Sequence, residues 1–155
     1  MEMAAKILLL AFVVGAAFAW PGQWDSTVQQ HIDAVKATLK EGQDAVHAAS
    51  QQATAAEKAA AAARKCDGYS PLLDLLRSRV ARAQATRADA EVLLEQASTK
   101  LWACVRPSHG DDVDLNCLAY AAPDVRSQAL DTAAVAKRLA RRVVAAAQNV
   151  VAQCA

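Results

Sequence analysis

Apolar and small residues recur at alternating intervals of four and three positions through three long segments of this sequence of 155 residues. In the first segment the pattern continues without a break from Val28 to Ala63. Such spacing places the residues along a single stripe of an α-helix, and that stripe has to be buried against another helix. Because alanine, the best helix former, is frequent throughout, the sequence predicts an all-α protein.

Glycine and proline residues mark the ends of the predicted helices. Gly68 suits the left-handed residue that ends a helix, Ser70 suits an N-cap, and Pro71 suits the first helical position. Residues 105–122 form the one predicted loop, with a short helical turn in its last part, and Pro123 starts the last helix. The predicted helices cover about residues 25–65, 71–104 and 123–153.

The predicted buried stripes are rich in alanine, above all in the second half of the first helix. In the second helix Arg87 stands at a stripe position, where we expect its guanidinium to reach out to the rim. In the third helix Leu130, Val144 and Val151 are expected to widen the stripe. The stripe positions are Val28, Ile32, Val35, Leu39, Gly42, Val46, Ala49, Ala53, Ala56, Ala60 and Ala63 in the first helix, Leu73, Leu76, Val80, Ala83, Ala90, Leu94, Ala97, Leu101 and Cys104 in the second, and Val125, Ala129, Thr132, Ala136, Leu139, Val143, Ala146 and Val150 in the third.

Residues 1–19 have the pattern of a secretory signal peptide. Lys6 precedes an apolar stretch from Ile7 to Phe18, and Ala17-Phe18-Ala19 supplies the small residues of a cleavage site. The apolar stretch is shorter than the roughly 20 residues that a membrane-spanning helix needs. The sequence therefore predicts a secreted, extracellular protein without a transmembrane segment, whose mature part is a single domain of residues 20–155.

Four cysteines, all in the predicted mature part, indicate two disulfides in an exported chain. A structural metal site is the alternative, but such a site needs closely spaced cysteine pairs, and the sequence has none. The net charge of +1 argues against a nucleic-acid-binding protein, which usually carries a basic excess.

The spacing of the cysteines selects one pairing. Pairing Cys66 with Cys104, or Cys117 with Cys154, would join residues that a continuous helix separates by about 55 Å. Pairing Cys66 with Cys117 would require parallel helices, and the segment from Cys104 to Cys117 reaches only about 43 Å, too little to return along a helix. An antiparallel hairpin instead brings Cys66 to Cys154 and Cys104 to Cys117. The sequence thus predicts an antiparallel three-helix bundle of long, alanine-rich helices with a disulfide-clipped hairpin of the second and third helices, and a first helix that is the most mobile of the three.

Catalytic motifs are absent: the sequence has no phosphate-binding glycine loop, no H-E-x-x-H and no G-x-S-x-G. The spacing Asp112-x-Asp114-x-Asn116 resembles the start of a calcium loop, but Cys117 and Pro123 stand where an EF-hand needs glycine and glutamate. We therefore predict no enzyme activity, no cofactor and no metal site, and we interpret this segment as a solvated acidic loop that initiates a helix.

A basic strip on the third helix is the one candidate for a binding surface. Anionic lipid or glycan could bind there, although a solvated helix face is the simpler interpretation. The strip consists of Lys137, Arg138, Arg141 and Arg142.

One segment resembles a known family. The run Cys66-Asp67-Gly68-Tyr69-Ser70-Pro71-Leu72, followed by Cys104, Cys117 and a cysteine near the end, resembles the pattern of the insect secreted TsetseEP-domain family. The similarity covers about residues 25–154. It implies a non-enzymatic secreted insect protein of gut, haemolymph or reproductive fluid, and it assigns no site residues.

These features favour a non-catalytic secreted helical module that binds an extracellular protein or glycan. The first alternative is an exchangeable lipid carrier whose first helix, which has no cysteine, detaches from the bundle. The second is an immune or antimicrobial effector, which depends on the basic strip alone. The exposed stripes of such helices leave open whether the protein is a monomer or a homodimer.

Overall fold

Three long helices and a short two-stranded ribbon form the described part of the protein. The computed structural model describes residues 23–68, 70–106 and 112–155, apart from the side chains of residues 23–25, and the predicted signal peptide lies outside these ranges. The predicted all-α bundle is confirmed, since the three helices pack against one another. The elements are α1 (Gln23–Ala63), α2 (Pro71–Trp102), β1 (Val105–Arg106), β2 (Asp112–Val113) and α3 (Leu115–Cys154).

Two disulfides hold the bundle at its two ends, in the pairing that the antiparallel arrangement predicted. Cys66 is bonded to Cys154 and Cys104 to Cys117, with Cα–Cα distances of 5.2 and 5.4 Å. The bonds are not strictly between two helices. Cys66 lies in the connection between α1 and α2, and Cys104 lies two positions after the end of α2. The first disulfide therefore also anchors the segment that follows α1.

The predicted stripe of α1 is buried from Val28 to Ala60, and only its last position, Ala63, is exposed. α1 packs more extensively against α3 than against α2. The two helices approach closely at Gly42, where an added Cβ would lie 3.0 Å from the Cβ of Ala136 and 3.1 Å from the Cα of Ala133. A larger residue would need these neighbours to shift by a few tenths of an ångström.

The buried residues form two clusters that share the length of the bundle. The cluster next to the Cys104–Cys117 bond contains the larger side chains of α1, such as Ile32 and Leu39, together with Leu93 and Leu101 of α2. The cluster next to the Cys66–Cys154 bond consists mostly of alanine. The boundary lies near Arg87, whose side chain is 77% exposed and pairs with Glu91 at 3.5 Å. The expectation that Arg87 reaches out to the rim is confirmed.

The predicted start of the third helix at Pro123 is wrong, and residues 105–122 are not a single loop. α3 begins at Leu115 because Asp114 caps it: the carboxylate accepts hydrogen bonds from the backbone N–H groups of Asn116 and Cys117, at 3.1 and 3.2 Å. Pro123 lies inside the helix, where it lacks one backbone donor. Buried side chains on both sides of it, including Leu118 and Val125, hold the helix continuous.

Two smaller expectations need correction. α1 ends at Ala63, and Arg64 takes the left-handed conformation with φ of 57°, while Gly68, with φ of 84°, lies further along the connection. In α3, Leu130 and Val151 do not widen the buried stripe, since they are 55% and 47% exposed. Three other residues of α3 are buried beside the predicted stripe: Ala133, Ala140 and Ala147. α3 contacts both other helices, and small side chains allow the helices to pack closely there.

Ser70 and Pro71 start α2 as predicted. The hydroxyl of Ser70 does not cap the helix, however, but lies 3.9 Å from the sulfur of Cys154, to which it can donate.

Candidate functional site

The acidic segment before α3 serves to start that helix. Asp112 lies opposite Arg106 in the backbone register of the two strands. The side chain of Asp114 forms an ion pair with Arg106 in addition to its N-cap bonds. The hydrogen bond from Arg106, followed by the N–H of Cys117, lowers the pKa of Asp114 below its ordinary value. Its carboxylate oxygens thus already have partners within the protein, which fits the interpretation of this segment as a helix-initiating loop.

The two histidines of α1 lie apart from each other. His31 is half-buried, and His47 is exposed with Gln51 at 3.3 Å from its ring nitrogen. His109 lies outside the described residues. In the described ranges there is no group of three or more histidine, cysteine or acidic side chains placed to hold a metal ion.

The basic strip of α3 does not form one uniform face. Lys137 points towards α1, where its Nζ lies 2.9 Å from Glu41. Arg138, Arg141 and Arg142 are exposed on the outer side of α3. Lys137 is therefore paired with an acidic side chain of another helix, while the three arginines extend the exposed basic surface of α3.

Two arginines of α2, which the sequence pattern did not identify, join this surface. Arg79 donates from Nη1 to the backbone carbonyl of Arg142 at 3.3 Å, which places the two residues opposite each other. Arg82 follows one turn later in α2, and in the antiparallel α3 the residue at its level is close to Arg138. The disulfides define the register of α2 against the antiparallel α3. The residue numbers of each bonded pair add up to 220 or 221, and those of Arg79 and Arg142 add up to 221, so these two arginines are expected at the same level of the bundle. We call Arg79, Arg82, Arg138 and Arg142 the arginine patch. Arg141 is not part of it, because it lies one turn after Lys137, on the side of α3 towards α1.

Charge is distributed unevenly along the bundle. The half next to the Cys66–Cys154 bond (residues 43–68, 70–86 and 133–155) has ten basic and four acidic side chains, a net charge of +6. The other half (residues 26–42, 87–106 and 112–132) has six basic and nine acidic side chains, a net charge of −3. We call them the basic half and the acidic half. The near-neutral total therefore conceals a strongly polarised molecule.

Elsewhere, facing helices bring opposite charges together. Glu57 of α1 lies 3.0 Å from Arg77 of α2, and Lys100 of α2 pairs with Asp124 of α3. The hydrogen bond from Lys100, followed by its charge, lowers the pKa of Asp124. The arginine patch departs from this rule, since α2 has no acidic residue between Asp74 and Asp89, and α3 has none after Asp131.

A polar cleft of about 510 Å³ lies between α1 and α2, where the two buried clusters meet. It is present because α1 and α2 pack least closely and because Arg87, at the stripe position of this level, turns outwards. Ser50 contributes a buried hydroxyl that has no hydrogen-bond partner in the described part of the chain. The other residues that line the cleft are Gln43, Asp44, Val46, His47, Gln84 and Thr86.

None of the described helices combines the length and the apolar character that crossing a membrane requires. Comparison of the chain with protein-family models, with characterised proteins and with solved structures finds no match. The similarity to the TsetseEP-domain family therefore stays a prediction from the sequence.

Proposed function

We propose that this protein is a secreted, non-catalytic helical module that binds an extracellular protein or glycan through the surface of its basic half. The observation that carries the proposal is the polarised charge: a chain with a net charge of +1 concentrates +6 in one half of its helical bundle. Concentrated charge of one sign steers oppositely charged partners to a surface and orients them there.

Secretion is supported by the signal-peptide pattern of residues 1–19 and by two disulfides, which persist in oxidising compartments. Expression of the full-length chain in insect cells with a C-terminal tag tests it. We expect the tagged protein in the medium, with Trp20 as its first residue. Retention of the uncleaved chain inside the cells would contradict secretion.

Binding can be tested with a photo-crosslinking residue placed at two matched positions of α3. Ala145 in the basic half and Ser127 in the acidic half are both exposed, and they lie five full turns apart on the same side of the helix. In extracellular fluid from the source tissue we expect a crosslinked product from position 145 that excess unlabelled protein removes. A product from position 127 alone would place the partner elsewhere, and no competed product from either position would overturn the proposed function.

The lipid-carrier alternative requires α1 to separate from the rest of the bundle. α1 packs most extensively against α3, and the second half of its buried stripe offers mainly alanine methyl groups to a lipid. Small methyl groups contribute little apolar area for insertion into a lipid surface. These features favour a bundle that stays closed and binds through its outer surface.

A further inference from the structure

The arginine patch joins two helices along the outer surface of the basic half. Arg79 reaches the backbone of Arg142, so these residues face each other, and Arg82 and Arg138 lie at the next level towards the middle of the bundle. The acid-free stretches around them measure about 22 Å along α2 and about 34 Å along α3. Four guanidinium groups thus occupy one continuous surface without an acidic neighbour in the same stretches of α2 and α3.

Like charges on facing helices oppose folding unless something else balances them. The other charged contacts between helices of this protein do combine a base with an acid, as at Glu57–Arg77, Lys100–Asp124 and Glu41–Lys137. The described stretches of α2 and α3 around the arginine patch have no such acids, so its charge remains available to an anionic partner from outside the chain.

We propose that the arginine patch binds a sulfated polysaccharide, whose sulfate groups pair with the guanidiniums of α2 and α3 together. This inference rests on the proposed function and specifies its partner. Guanidinium is suited to sulfate because its planar array of donors binds oxyanions with two parallel hydrogen bonds and is weakly hydrated. A linear polymer is favoured over a small anion because an exposed patch that spans two helices can engage several sulfates in succession, with no enclosed pocket around any one of them.

The composition of the basic half argues against other macromolecules. Its described residues include no Phe, Tyr or Trp ring on which nucleobases could stack. The only large apolar side chains that it exposes are Leu75, Val135 and Val151. A protein partner would need an apolar centre to its interface, and a membrane surface would need an apolar face to insert. The exposed surface of the basic half therefore presents mainly charged groups to a partner.

The test is direct binding of the full mature protein to a fluorescently labelled heparin oligosaccharide. The patch variant replaces all four residues: Arg79→Gln, Arg82→Gln, Arg138→Gln and Arg142→Gln. Its matched control removes the same number of charges from exposed positions of the acidic half: Lys36→Gln, Lys40→Gln, Arg87→Gln and Arg126→Gln. Circular dichroism and thermal unfolding establish that each variant is folded.

We expect the patch variant to bind heparin about tenfold more weakly or worse, since the four guanidinium partners of the sulfates are removed, while the control stays within about twofold of the native protein. Raising the salt concentration from about 50 mM to about 200 mM should weaken native binding strongly and that of the patch variant much less. Equal losses in the two variants would mean that total charge, and not the patch, governs binding, and would overturn the inference.

Parallel measurements separate this inference from the proposed function. Unsulfated hyaluronan, single-stranded DNA and anionic phospholipid vesicles serve as further probes. Tighter binding of any of these than of heparin, or no binding of heparin, would overturn the sulfated partner. The proposed function would then still stand if position 145 gave a competed crosslink to another extracellular component, and it would fall with the inference if position 145 gave none.

Discussion

Removal of the two disulfides one at a time should reveal how the bundle is held together. The Cys66–Cys154 bond closes a loop of 88 residues and the Cys104–Cys117 bond one of 13. A crosslink stabilises a protein chiefly by restricting the unfolded chain, and the effect grows with the logarithm of the loop length. At about 25 °C the expected contributions are about 4.6 and about 2.9 kcal/mol. The long-loop bond should therefore contribute about 1.7 kcal/mol more.

The two disulfides have similar surroundings, so the stability losses of the two variants can be compared directly. Each joins one buried cysteine, Cys154 or Cys104, to one half-buried cysteine, Cys66 or Cys117. Replacing either pair by alanine thus removes similar packing, and the difference between the variants reports the loop length. The short loop lies within the long one, but this nesting alters the estimate by only about 0.1 kcal/mol.

The measurement is urea unfolding of the oxidised mature protein, followed by circular dichroism. Cys66→Ala/Cys154→Ala should lose about 1.7 kcal/mol more free energy of unfolding than Cys104→Ala/Cys117→Ala. Reduction of both bonds should cost about 7.5 kcal/mol, which approaches the whole stability of many small domains. If the short-loop variant lost as much stability as the long-loop variant, or more, the unfolded-state argument would be refuted, and local anchoring of the ribbon and the start of α3 would have to dominate.

Four further outcomes can be measured by the same unfolding assay. Gly42→Ala should destabilise the protein by about 1 kcal/mol, because the added methyl group would press on the backbone of Ala133. We expect this overpacking to exceed the gain in helix propensity from alanine. Unchanged or increased stability would show that α1 and α3 can separate freely. Leu101→Ala should cost about 2–5 kcal/mol, whereas the exposed Leu130→Ala should change stability by less than about 0.5 kcal/mol, and equal effects would contradict the observed burial. Asp114 has a lowered pKa, so its contribution to stability is present above the unfolded-state pKa and is lost as the pH falls through the folded-state pKa. Asp114→Asn should therefore make the loss of stability below about pH 4 shallower. An unaltered pH profile would count against the ion pair with Arg106. The patch variant with four arginines replaced should be more stable than the native protein at low ionic strength, with a difference that shrinks as salt is added; lower stability at low salt would show that the arginines are balanced within the chain.

The sequence predicts most of this fold because two independent signals agree. The four-three spacing identifies the buried face of α1 at every position from Val28 to Ala60, and the cysteine spacing identifies the antiparallel pairing. Helix ends were less predictable, since local signals compete there. Pro123 resembles a helix start, but the N-cap bonds of Asp114 and the burial of Leu118 outweigh the single backbone bond that the proline removes.

The sequence predicts only the part of the candidate surface that lies on α3. The sequence identifies Arg138, Arg141 and Arg142 as a group because they are close in the chain. It also includes Lys137, which forms an ion pair with Glu41 of another helix. Arg79 and Arg82 belong to the surface only through the register of two antiparallel helices, and no local pattern marks them. Yet the disulfides determine that register, because crosslinks at both ends of the hairpin prevent α2 and α3 from sliding past each other. The same constraint that stabilises the bundle thus holds α2 and α3 in the register that places Arg79 opposite Arg142, and it brings like charges together along one surface.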